Sequence, residues 1–141
     1  MAALTADKRR VKQGAGDKFP VPVAASTTIH GGAMVCFDAS GNAVPAADTA
    51  GLDFAGIACA RADNASGSAG DIEVEVERGQ LEKIATAVVV AGDKGLDAVV
   101  ADDQTVTDSA AGTNDVRVGK IEKFETGFAW VRVGVLSTAA A

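Results

Sequence analysis

One histidine, two cysteines and nineteen acidic side chains are the chain's stock for catalysis or metal binding. Any triad or metal cluster would have to be built around His30. A nucleophilic pair of His30 with Cys36 needs a thiol activated by its surroundings, and nothing in Met34-Val35-Cys36-Phe37 marks Cys36 as activated. His30 reads instead as a turn residue beside Gly31-Gly32. Cys36 and Cys59 lack CxxC spacing and histidine companions, so neither zinc nor redox chemistry is indicated. Both lie in apolar segments and are expected to be buried free thiols. The acidic groups Asp38/Ser40/Asn42, Asp63/Asn64 and Asp102-Asp103 lack the twelve-residue spacing of an EF-hand. Gly112 to Ile121 superficially has the look of a phosphate loop, but six residues separate its glycines and Ile121 replaces the required hydroxyl. No catalytic motif, cofactor site or metal site is read, and an enzyme is not expected.

Charge is distributed unevenly. The chain carries a net −6, which argues against a nucleic-acid coat or a binder of anionic membranes. Residues 1–18 hold Lys8, Arg9, Arg10, Lys12 and Lys18 against Asp7 and Asp17, a net +3, leaving −9 to the rest. A basic arm on an acidic body is expected to dock on an acidic surface. Glu73, Glu75 and Glu77 lie two apart on one strand face, where a like-charge row keeps a strand soluble or meets a partner's cations.

The elements that must carry these groups are strands. Gly70-Asp71-Ile72-Glu73-Val74-Glu75-Val76-Glu77-Arg78-Gly79 alternates strictly, placing Ile72, Val74 and Val76 on a core face and the carboxylates on a wet one. Pro20 and Pro22 make Lys18 to Val23 an edge strand or strap. Asp38 to Asn42 predicts a hairpin turn, and Glu125-Thr126-Gly127 a second one before Phe128 to Leu136. Leu81 to Ile84 is expected to continue pairing after a turn at Gly79, and Ala85 to Ala91 is ambiguous between strand and short helix. The composition is 48% hydrophobic but only 4% aromatic, so the core is expected to be thin and made of small side chains. The expectation is an all-β fold, a small barrel or sandwich of about nine short strands with an extended N-terminal arm. The arm covers residues 1–18, the β domain 19–136, and 137–141 is expected to be a flexible tail. No apolar run approaches a membrane span, and charges stand where a signal peptide needs an apolar run.

The order of these segments resembles that of the small capsid decoration, or cement, proteins of tailed bacteriophages. The likeness runs over residues 20–136. It rests on Gly56-Ile57-Ala58, the alternating strand from Gly70 to Gly79, Gly92-Asp93-Lys94-Gly95-Leu96, Asp103 to Thr107, Val116 to Ile121 and Trp130-Val131-Arg132-Val133. The resemblance implies a non-catalytic protein on the outer capsid surface of the virion, made in the host cytoplasm. It would bind the major capsid protein and stabilise the expanded shell, commonly as a homotrimer at three-fold or quasi-three-fold positions. The chain departs from the family in its longer basic N-terminal segment and in the loop 108–115. On this reading Lys8, Arg9, Arg10, Lys12 and Lys18 meet acidic capsid surface, Val21 and Val23 augment a strand edge there, and the arm is dispensable for folding. The alternative is a β-barrel binding module of a phage fibre or a host- or carbohydrate-surface adhesin. One Trp and no Tyr weigh against sugar binding.

Overall fold

The alternating stretch forms a strand in which Val74 and Val76 are buried while Glu73 and Glu75 stay in water, as period-2 patterning requires. It belongs to a computed structural model that describes residues 2–141, an all-β molecule of thirteen strands in three antiparallel sheets. A six-stranded sheet runs, in spatial order, β1 (Lys12–Gln13), β9 (Leu81–Ala85), β13 (Phe128–Val133), β12 (Arg117–Glu125), β10 (Asp97–Val100) and β11 (Val106–Thr107). A five-stranded sheet runs β2 (Asp17–Pro22), β8 (Glu73–Arg78), β6 (Asp53–Ala58), β4 (Met34–Phe37) and β5 (Ala43–Pro45). A ribbon of β3 (Thr27–Ile29) and β7 (Ala62–Asn64) completes the fold. The architecture is a sandwich and not a closed barrel.

Two apolar layers result. Met34, Cys36 and Ile57 of the five-stranded sheet pack on Ile84, Val118, Ile121 and Val131 of the six-stranded one. The opposite face of the five-stranded sheet packs Val21, Val35, Ala55, Val74 and Val76 with Ile29 and Ala62 of the ribbon. β4 therefore alternates between two cores, which is why Met34-Val35-Cys36 reads as a continuous apolar run. The core is indeed built from small side chains: all five phenylalanines remain partly or fully exposed.

Two expectations change and a third gains its partner. Leu81 to Ile84 does continue as a paired strand, but in the six-stranded sheet. The chain turns at Gly79, in the left-handed region at φ +99°, and β9 crosses to pair with β13. The segment after Ala85 is neither strand nor regular helix but a turn and a short 3-10 turn at Ala91–Asp93. The tail 137–141 is docked and not loose. The Ser137 amide donates to Asp97 Oδ1 at 2.7 Å, the Asp97 amide to Ala139 O at 2.9 Å, and the Ala141 amide to Asp97 O at 2.8 Å. Asp97 is fully buried, and these bonds supply much of what its burial requires.

Candidate binding cleft

The basic arm does not project from the body. It runs back across the molecule, tied by a series of hydrogen bonds. The Leu4 amide donates to Asp103 Oδ1 (2.8 Å), the Gly31 amide to Asp7 Oδ1 (3.0 Å), and the Lys8 amide to Gly31 O (2.7 Å). Arg10 Nε donates to Gly32 O (2.7 Å) and the Lys83 amide to Val11 O (2.8 Å). Lys12 and Gln13 then pair with Glu82 and Leu81 as β1. The Gly31-Gly32 pair makes this passage possible. Gly32 is left-handed at φ +83° and its α-carbon faces the Lys8 carbonyl so closely that a side chain would collide with it.

The acidic surface expected for the arm is thus supplied first by the chain itself. Lys12 Nζ pairs with Glu77 Oε1, and the Gly16 amide donates to Glu77 Oε2 at 2.8 Å. Glu77, expected on a wet face with Glu73 and Glu75, is only 4% exposed because the arm covers that end of β8. Glu82, on β9, is 1% exposed and accepts from Gln80 Nε2 at 3.0 Å, while its Oε2 has no partner among the described residues. Burial pushes the Glu82 carboxyl above its ordinary range. Burial also lowers the Arg10 guanidinium, against the pull of Glu82, Asp103 and Asp102, and Arg10 Nη1 and Nη2 are sealed from solvent with no hydrogen-bond partner among the described residues.

Between the arm and the body lies a cleft of about 620 Å³, and it gathers all five expected capsid-binding cations: Lys8, Arg9, Arg10, Lys12 and Lys18. They are not equivalent. Lys8 bonds Gln104 Oε1 at 3.3 Å, Arg10 is sealed against Gly32, and Lys12 is held by Glu77. Arg9 and Lys18 are exposed and make no ion pair or side-chain hydrogen bond among the described residues. Arg61, from the turn after β6, joins them on the same terms. Sequence reading missed Arg61, since a single cation at the end of an apolar strand carries no signal; only the fold brings it opposite the arm. Asp7, Glu77 and Glu82 are the cleft's carboxylates, so its balance is positive on a chain that is acidic overall.

Val21 and Val23 require a correction. They are 2% and 0% exposed, packed in the second core layer, and cannot augment a foreign strand with their side chains. The backbone forbids it as well. β2 is the edge strand anticipated from its prolines, and Val23 N bonds inward to Ile72 O, so the odd residues face β8. Pro20 and Pro22 therefore face outward, where they remove two donors from the free edge. The arm is likewise not separate from the fold, because removing it would uncover Glu77, Glu82 and the edge of β9.

The remaining candidates stay apart. His30 Nδ1 lies 3.5 Å from Asp7 Oδ1 in a turn, while Cys36 is buried between the sheets with its thiol pushed up to about 12 by burial. Cys59 is a second correction: it is free but exposed, on the rim of the cleft. Among the described residues no group of three or more His, Cys, Asp or Glu could hold a metal ion, and no helix is long and apolar enough to cross a membrane. Trp130 is 8% exposed, with Lys123 Nζ 5.4 Å above its ring, so it presents no open stacking platform. Comparison with protein-family models, curated proteins and solved structures finds no match.

Proposed function

We propose that this chain is a non-catalytic structural protein that binds the outside of a bacteriophage capsid and stabilises its expanded shell, as a homotrimer at three-fold or quasi-three-fold positions. The observation that carries the reading is the convergence of Arg9, Lys18 and Arg61, exposed and unpaired among the described residues, around one cleft of an otherwise acidic protein. Charge concentrated against the overall sign is the signature of an electrostatic contact with an acidic partner. The order of strand motifs, similar to that of decoration proteins, points the same way. Lys8, Arg10 and Lys12 set the arm in place, and the three free cations meet the major capsid protein. Cementing needs no chemistry: binding the expanded shell more tightly than the unexpanded one stabilises it by mass action.

Co-sedimentation with expanded and unexpanded shells lacking decoration protein tests this. The expected result is saturable binding to expanded shells only, lost in an Arg9→Glu/Lys18→Glu/Arg61→Glu variant that still melts cooperatively. Wild-type protein that pellets with neither shell sinks the capsid reading. A triple variant that binds like wild type sinks the cleft as the contact.

A further inference from the structure

The seat of the arm is a docking surface for a basic strand, and we propose that its second occupant is the arm of another copy of this chain, so that copies associate by exchanging residues 2–13. This inference does not rest on capsid binding. The seat is matched chemically to this segment: Glu77 takes Lys12, Gly31 and Gly32 take the Lys8 amide and Arg10, and the β9 edge takes Val11 to Gln13. Every one of those contacts is available unchanged from a second chain, which is why exchange of an identical element is a low-cost route to association.

The connection to the body is built to permit it. Gln13-Gly14-Ala15-Gly16 joins β1 to β2 with exposed residues from 13 to 15. Gly14 makes the reversal at φ +74° with nothing within 4 Å of where a side chain would stand. The far end is fixed, since Gly16 donates to Glu77 and lies flat against Arg78 O and Gln80 Oε1. Opening the turn at Gly14 therefore swings the arm outward while leaving β2 in place. The ladder to be broken in cis is short, two residue pairs plus the Lys83–Val11 bond. Of the polar groups beneath it, Arg10 Nη1 and Nη2 and Glu82 Oε2 make no hydrogen bond among the described residues. Three residue steps from Gln13 to Gly16 span at most about 10 Å, so exchanging copies must place their clefts side by side.

Val11 and Lys83 face each other across this ladder, and both are at least partly exposed. In a Cys59→Ser background, chains carrying Val11→Cys alone and Lys83→Cys alone are mixed, co-refolded and oxidised. Exchange yields a disulfide-linked heterodimer whose fraction rises with concentration from about 10 μM to about 1 mM. A chain carrying both substitutions serves as the register control and is expected to close an internal disulfide at low concentration. Gln13→Cys with Leu81→Cys, a further register pair that leaves Lys12 and Glu77 in place, repeats the test independently. If the control closes and the mixture stays free of heterodimer at every concentration, arms are not exchanged and the proposal falls. If neither double variant closes in cis or in trans, the seat itself is misassigned and the proposal falls with it.

Discussion

Replacing Lys12 and Glu77 singly and together measures what holds the arm. The Glu77 side chain is 5% exposed and Lys12 is 38% exposed, so the two ends of the pair do not cost the same to remove. Lys12→Ala leaves a buried carboxylate with the Gly16 amide as its remaining donor. An under-satisfied buried charged group costs about 1–3 kcal/mol. Because the lysine is partly in water and screened, the lower part of that range, about 1–2 kcal/mol, is expected. Glu77→Gln keeps an acceptor for Gly16 and lets Lys12 turn into solvent, so about 1 kcal/mol or less is expected. With the carboxylate already gone, Lys12→Ala should add under about 0.5 kcal/mol, giving a coupling of about 1 kcal/mol. Urea unfolding followed by circular dichroism at pH 7 and low salt resolves this. The pH dependence has a definite sign. Burial alone would raise the Glu77 carboxyl, but the Lys12 and Gly16 bonds outweigh it and hold it below its ordinary value. The pair's contribution is therefore complete above about pH 4.3 and is lost as pH falls through the lowered value. Lys12 is raised by its bond to Glu77, so at the alkaline end the contribution is complete below about pH 10.4 and is lost as pH rises through the raised value. Equal costs for Lys12→Ala with and without the Glu77 carboxylate would refute the argument, since the arm would then be held by something else.

Other consequences are open to direct measurement. Ile121→Ala, at a fully buried position between the sheets, should cost about 2–5 kcal/mol in the same urea assay. Deleting 137–141 strips buried Asp97 of its Ser137, Ala139 and Ala141 partners and leaves it Arg117 at 3.3 Å. A loss of about 2 kcal/mol is expected, visible as a lower melting temperature in calorimetry, whereas a free tail would leave the melt unchanged. Maleimide should label Cys59 in the native protein and Cys36 only on unfolding, because one thiol is exposed and the other is buried and pushed up to about 12; mass spectrometry after timed labelling decides.

Much of the fold was legible because period-2 alternation and turn chemistry act locally. Val74 and Val76, the Asp38–Asn42 hairpin and the Phe128 strand all follow from residues within a few positions of each other. What escaped was set by distant packing. Nothing near Glu77 distinguishes it from Glu75, and only an arm sixty-five residues away buries one and leaves the other wet. Thirteen strands stand where about nine were anticipated, since two-residue strands such as β1 and β11 carry no period to read. The five basic residues of the arm line one cleft, but which of them remain free is decided by Gln104, Gly32 and Glu77 on the body, and Arg61 enters the cleft by topology alone.

All three prolines of the chain, Pro20, Pro22 and Pro45, fall on the two outermost strands of the five-stranded sheet. Packed shoulder to shoulder in an array, many identical sandwiches would present these rims to one another at very high local density, the setting in which bare strand edges fuse into fibrils. At Pro20, Pro22 and Pro45 these rims cannot donate, which weakens such fusion at the level of the backbone. Apolar substitutions along these rims are therefore less able to seed strand pairing than they would be on edges with a full set of donors.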